Sequence, residues 1–206
     1  MINRLSRGVY AITPDLDDTD TLLQMTATAL SAGLACLQYR NKQADAALAL
    51  NQARALRDLC AHYNTPLIIN DDAELAASIG ATGVHLGGDD ADVQATRERY
   101  GSALLIGASC YNDMQRAERA CAAGADYVAF GAMFPSSTKP KAVRASAALL
   151  TQARALQVPV VAIGGITPDN GRAIVQAGAD LLAAIDGLFG QGDIAAAVRA
   201  YQLCFQ

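Results

Sequence analysis

Gln176-Ala177-Gly178-Ala179-Asp180-Leu181-Leu182-Ala183-Ala184-Ile185 passes from an alanine-rich segment through one glycine into an unbroken apolar stretch. The same junction occurs three more times. Ala122-Ala123-Gly124-Ala125-Asp126 precedes Tyr127-Val128-Ala129-Phe130-Gly131, Ser78-Ile79-Gly80-Ala81 precedes Gly83-Val84-His85-Leu86, and Ser31-Ala32-Gly33-Leu34 precedes Ala35-Cys36-Leu37-Gln38. A glycine that closes an alanine-rich segment suits the left-handed position after a helix. The apolar run that follows is too continuous for a half-exposed strand and reads as one buried on both faces.

Four further strand-like runs lie between these junctions, at residues 9–12, 67–69, 104–106 and 158–163, and amphipathic segments such as 48–62 (apolar at Leu48, Leu56 and Leu59) separate them. The junction recurs every ~45–55 residues, which makes each repeat two strand–helix units. Eight units in 206 residues leave about 26 apiece, enough for a compact (β/α)8 TIM barrel occupying residues 1–206 as one domain. An open doubly wound sheet shares the alternation, but the eight regular units and the lack of G-x-G-x-x-G after the first strand favour closure. In a barrel, chemistry belongs at the loops that follow the strands.

The composition permits this. Hydrophobic residues are 52% of the chain and charged residues 17%, in keeping with a two-layer core. The net charge of −4 excludes a broad nucleic-acid surface. Five cysteines, an odd number with no C-x-x-C pair, suggest free thiols. No run is long enough to span a membrane and the N-terminus lacks a signal-peptide pattern, so a cytoplasmic protein is expected.

The strand ends carry unusual residues. Gln38, Arg40 and, if the second strand extends that far, Lys42 share one face of Leu37-Gln38-Tyr39-Arg40-Asn41-Lys42. Unpaired cations facing the lumen would be costly without an anionic partner; a solvated loop in which Arg40 pairs with a carboxylate is the plainer alternative. The third strand runs into Asn70-Asp71-Asp72 and the fourth into Gly87-Gly88-Asp89-Asp90. In each, one Asp can cap the next helix while another faces the pocket. Asp71 and Asp90 are assigned to a Mg²⁺ ion, with Asp72 and Asp89 as caps or supports. Ser109 closes the fifth strand, Ser136-Ser137-Thr138-Lys139 the sixth, Gly164-Gly165 the seventh and Ile185-Asp186-Gly187 the eighth. The last two are candidate backbone phosphate sites, although Gly164-Gly165 can equally be a tight turn. His62 and His85 have no zinc or triad spacing, and no nucleotide fingerprint appears, so a chemistry without a histidine base is expected.

In order and placement, Tyr10-Ala11-Ile12-Thr13, Gln38-Tyr39-Arg40-Asn41-Lys42, Asn70-Asp71, Val84-His85-Leu86-Gly87 with Asp90, Ser109, Phe130-Gly131 through Thr138-Lys139, and Ala162-Ile163-Gly164-Gly165-Ile166 resemble the thiamine phosphate synthase family. The resemblance implies a Mg²⁺-dependent transferase of thiamine biosynthesis. It would join 4-amino-2-methyl-5-(diphosphooxymethyl)pyrimidine to a thiazole (or carboxythiazole) ethyl phosphate, releasing pyrophosphate. It further implies that Gln38, Tyr39, Arg40, Asn41, Lys42, Asn70, Ser109 and Lys139 meet the pyrimidine diphosphate, with Arg40, Lys42, Ser109 and Lys139 catalytic. Ser136, Ser137, Thr138, Gly165, Ile185 and Asp186 would meet the thiazole phosphate. Asp186 stands where the family usually has Ser, so its carboxylate must turn away from a bound phosphate. Ser136 replaces a Thr and Gly88 a Gln. The expected partners are small-molecule substrates, without nucleic acid or membrane, and homo-oligomerisation is left open. Two rival readings are a thiazole tautomerase-like barrel isomerase and a non-catalytic barrel that binds a phosphometabolite and regulates a partner.

Overall fold

A computed structural model describes residues 5–87, 92–135 and 144–206. Its strands are β1 (Gly8–Ile12), β2 (Cys36–Tyr39), β3 (Leu67–Asn70), β4 (Gly83–Leu86), β5 (Leu105–Tyr111), β6 (Tyr127–Phe130), β7 (Val160–Ile163) and β8 (Leu181–Ala184). The intervening helices are α1 (Thr19–Ser31), α2 (Ala46–His62), α3 (Ala73–Ile79), α4 (Val93–Tyr100), α5 (Met114–Ala122), α6 (Ala147–Ala153) and α7 (Pro168–Ala177). After β8 come a single-turn α8 (Asp186–Phe189) and α9 (Ile194–Gln202). All strand pairs are parallel, and β1 pairs with both β2 and β8, closing the barrel.

The four junction glycines are the hinges the sequence predicts: Gly33, Gly80, Gly124 and Gly178 have φ of 95°, 70°, 102° and 127°. The residue two beyond the glycine explains the two-unit period. Asp126 Oδ2 accepts from Ile106 N at 2.8 Å, Asp180 Oδ2 from Val160 N at 2.9 Å, and Thr82 Oγ1 from Leu67 N at 3.2 Å. Each even strand thus fixes the start of the odd strand before it through a side chain that satisfies an otherwise open N–H. Ala35 holds this place at the first junction, where only the Ala35 N–H to Val9 O bond does the work. Asp126 also binds Arg97 Nη2 at 2.5 Å, which ties α4 to the bottom of β6.

Side-chain alternation then separates two apolar layers. Val9, Ala11, Leu37, Val84 and Leu182 face the helices, while Tyr10, Cys36, Leu105, Tyr127, Val161 and Leu181 fill the lumen with Leu5 below them. Fully burying each aliphatic side chain contributes ~1.5–3 kcal/mol. Among the described residues no helix is long and apolar enough to cross a membrane.

Several boundaries differ from the expected ones. β2 stops at Tyr39, so Arg40 and Lys42 stand in the loop rather than on the strand. β5 continues to Tyr111, with a register shift between Ser109 and Tyr111 that re-aims its end. β8 stops at Ala184 and Ile185 caps α8. In α2 the buried stripe is Gln52, Ala53, Leu56 and Cys60, with Leu48 and Leu59 at its margins.

Candidate active site

The lumen changes character toward the strand C-termini, where the apolar filling gives way to a cavity of about 640 Å³. Its wall includes Gln38, Arg40 and Lys42 after β2, Asn70 and Asp71 after β3, His85 of β4, and Ser109 and Tyr111 of β5. Across the mouth stand Ala129, Gly131, Val161, Ile163, Gly164, Ala183, Ile185 and Gly187.

Arg40 reaches this wall from the loop because four bonds fold the loop inward. Thr13 Oγ1 bonds both the Arg40 carbonyl and its N–H, each at 2.9 Å. Asp15 Oδ1 accepts from Arg40 Nη1 at 3.0 Å and from the Lys42 backbone N–H at 2.9 Å. This corrects the premise of an unpaired lumen cation: Arg40 has a counter-ion, Asp15, and is only 17% exposed. Arg40 is thus both paired with a carboxylate and part of the cavity wall. Only Nη1 of its guanidinium is engaged among the described residues. Lys42 is exposed, and its ammonium makes no ion pair among the described residues.

Asp71 and Asp72 divide as the sequence suggests. Asp72 caps α3 by accepting from Leu75 N at 2.7 Å. Asp71 has a φ of 62°, a left-handed conformation that Asp tolerates better than most residues. One of its carboxylate oxygens accepts from Gly87 N at 3.1 Å and the other from Asn70 Nδ2 at 2.6 Å. At the next loop Asp92, rather than Asp89, caps α4. Asp89, Asp90, Ser136, Ser137, Thr138 and Lys139 lie outside the described residues.

Two expected contacts are corrected. The Tyr39 side chain points outward to α2, donating to Gln52 Oε1 at 2.9 Å. Asn41 is occupied with its own loop, donating to Leu16 O at 2.8 Å and to Gln52 Oε1 at 3.2 Å. Both shape the loop that carries Arg40 and Lys42, and neither side chain lines the cavity.

On the far side, Gly164 and Gly165 have φ of 97° and 63°. A side chain at Gly165 would meet Pro135 O at 2.3 Å, and one at Gly164 would meet Ala132 at 2.7 Å. The glycine pair is thus demanded by the loop after β6, which also donates from Phe134 N to Gly164 O at 2.9 Å. Gly165 itself is not in the wall, whereas Gly164 and Ile166 are. Asp186 is exposed, and the wall there consists of Ile185 and Gly187, so its carboxylate is not part of the cavity surface.

The sequence reading missed His85. Its Nε2 lies 2.9 Å from Ser109 Oγ and its Nδ1 3.0 Å from Tyr127 OH. Tyr127 OH is 2.9 Å from Tyr10 OH, which accepts from Gln38 Nε2 at 2.9 Å. The Tyr127 ring occupies the place a Gly107 side chain would take, with ring atoms at 1.9 Å from that position. Burial lowers the His85 pKa to about 4 and pushes both tyrosines well above their usual value, Tyr10 further through its neighbour Tyr127. All five groups are therefore uncharged at neutral pH. The available signal was phase: His85 sits opposite Asn70 and Gly107 in register, on the inward side with Gln38.

Residues 9–188 match the family model described as thiamine monophosphate synthase. The chain belongs to that family. A thiamine-phosphate synthase of Azoarcus sp. (strain BH72) is 56% identical over 97% of this chain and 97% of its own length. One from Xanthomonas campestris pv. campestris is 55% identical over 97% and 96%. Among solved structures, a thiamine phosphate pyrophosphorylase from Pyrococcus furiosus is similar with a TM-score of 0.85 and 29% identity, covering 98% of this chain and 96% of its own. Membership in the thiamine monophosphate synthase family thus accompanies the barrel and its polar mouth.

Proposed function

We propose that this chain is a thiamine phosphate synthase, joining 4-amino-2-methyl-5-(diphosphooxymethyl)pyrimidine to a thiazole ethyl phosphate. The observation that carries the reading is the convergence of Gln38, Arg40, Lys42, Asn70, Asp71 and Ser109 on one cavity. The family and its relatives support the same assignment.

In the reaction the bond between the pyrimidine methylene carbon and the diphosphate oxygen breaks, and its electron pair leaves with pyrophosphate. The thiazole nitrogen then gives its lone pair to the carbon that has become positive. Arg40 and Lys42 face the oxygens on which negative charge grows, and Asn70 and Ser109 offer neutral hydrogen-bonding groups. Lys139 joins them by family resemblance. No general base is required, since charge stabilisation and positioning carry the step.

The residues present fit a magnesium ion. Such an ion takes one or two carboxylates and fills its shell with water and phosphate oxygens. Among the described residues each carboxylate oxygen of Asp71 accepts one hydrogen bond, which leaves it a second lone pair. Asp71, with Asp90 from the following loop, would hold the ion, which when bound supplies positive charge beside the diphosphate. Among the described residues no group of three or more metal-binding side chains exists, so water and substrate would complete the shell.

Incubating the pure protein with both substrates and MgCl₂ should release pyrophosphate and thiamine phosphate in equal amounts. Folded protein that forms neither product rejects the proposal. An isomerase of the tautomerase type would turn over a thiazole phosphate alone and without metal. The lumen suits that chemistry poorly, because burial moves His85 and both tyrosines away from neutral titration.

A further inference from the structure

Gln38, Tyr10, Tyr127, His85 and Ser109 form an unbroken chain across the lumen, from β2 through β1, β6 and β4 to β5. We propose that this chain is polarised in one direction, so that Ser109 is held as a hydroxyl donor aimed into the cavity, and that Tyr10, Tyr127 and His85 are positioning residues acting through it.

The argument is a count of protons. The Gln38 amide nitrogen can only donate, so Tyr10 oxygen accepts from it. Tyr10 has one hydrogen left, and among the described residues its available acceptor is Tyr127 oxygen. If Tyr127 instead donated to Tyr10, the Tyr10 hydrogen would be buried without a partner, which is costly. Tyr127 therefore accepts from Tyr10 and donates to His85 Nδ1. Nδ1 accepts that hydrogen and so carries none of its own, which leaves the ring hydrogen on Nε2, pointing to Ser109 Oγ. Ser109 accepts that bond, and among the described residues no other group takes its hydrogen, which is left for the cavity.

The consequence is functional. A departing diphosphate has only acceptor oxygens, so a serine that spent its hydrogen on His85 would turn lone pairs toward an anion. A chain fixed in the observed direction presents the hydrogen instead, without reorganisation at the moment of reaction. Reversing the Gln38 amide would reverse every bond, so the tautomer of His85 reports the orientation of a group three hydrogen bonds away. The role of Ser109 rests on the synthase reading, whereas the direction of the chain does not.

The protein has two histidines, so nitrogen-15 labelling of histidine gives a spectrum that His85→Gln assigns directly. At pH 7 in the full chain, His85 should be neutral with the hydrogen on Nε2 and a bare Nδ1. A hydrogen on Nδ1, or a charged ring, overturns the proposal. In Tyr127→Phe, Nδ1 loses its donor, so the Nδ1–H form should become populated, and kcat should fall about fivefold with KM nearly unchanged. A folded Tyr127→Phe protein with the wild-type tautomer and wild-type kcat also overturns it. If that variant does not fold, the wild-type spectrum alone decides. The expected tautomer in a protein that forms no thiamine phosphate would refute the synthase reading and leave the direction of the chain supported.

Discussion

Between β2 and β5 the cavity wall is made of long or ionisable side chains, Gln38, Arg40, Lys42, Asn70, Asp71 and His85, whereas between β6 and β8 it is made of Ala129, Gly131, Val161, Ile163, Ala183 and Gly187. Both halves stand on equivalent strand ends of one repeat, yet only the first has ionisable side chains in its described wall. The first half presents polar and charged side chains, held from behind by Thr13, Asp15 and Gln52. The second half presents small apolar residues, and Gly164 and Gly165 beside it are fixed by the loop after β6. A substrate pair in which one member carries the leaving diphosphate and the other a ring and a single phosphate matches this division.

Four substitutions sharpen or break the contrast. Asp71→Asn keeps the shape and removes the charge, and should lower kcat by about 100-fold while weakening the response to added Mg²⁺. Steady-state assays across a magnesium series read this, and near-normal turnover without added metal would contradict the ion assignment. Asp15→Asn leaves Arg40 without its counter-ion and should cost about tenfold in kcat/KM for the pyrimidine substrate, with the thiazole KM unmoved. Equal loss for both substrates would mean that the loop serves the whole mouth.

The third test concerns the buried chain behind the polar half. His85 titrates at about 4 when folded, against 6.5 for the free side chain. Its contribution to stability is complete above pH 6.5 and is lost as the pH falls toward 4, because the unfolded chain takes up a proton that the folded one refuses. The edge of the ring toward the cavity remains accessible, which moderates the effect. Between pH 8 and pH 5 wild type should therefore lose about 1 kcal/mol more stability than His85→Gln, as measured by urea denaturation. Parallel losses in the two proteins would show that His85 does not couple folding to protons. The smallest effect belongs to the other half: Asp186→Ser should tighten thiazole-phosphate binding about threefold by easing a nearby like charge. Calorimetry that finds weaker binding would place that carboxylate in a supporting role.

The barrel was legible because its junctions repeat, with a glycine to end an alanine-rich helix and a continuous apolar run after it. Gln38 was legible because strand phase assigns its side chain to the lumen, Asp71 because a second Asp beside it was free to cap the helix, and Asn70 and Ser109 through the family resemblance. Arg40 and Lys42 reach the cavity for a different reason: the strand ends before them and long-range bonds to Thr13 and Asp15 bring them in. Tyr39 and Asn41 were placed at the substrate by the family resemblance alone, whereas strand phase turns Tyr39 to the helix layer and Asn41 bonds within its own loop. His85 was passed over because zinc and triad spacings were sought along the chain, whereas its partners, Ser109 and Tyr127, come from two other strands.

The most direct test of the division between the two halves is calorimetric titration of inorganic pyrophosphate with Mg²⁺ into wild type and Arg40→Met, each also titrated with the thiazole phosphate. The division predicts that pyrophosphate affinity falls about tenfold or more in the variant while thiazole-phosphate affinity holds. Unchanged pyrophosphate binding by a folded Arg40→Met protein would contradict it.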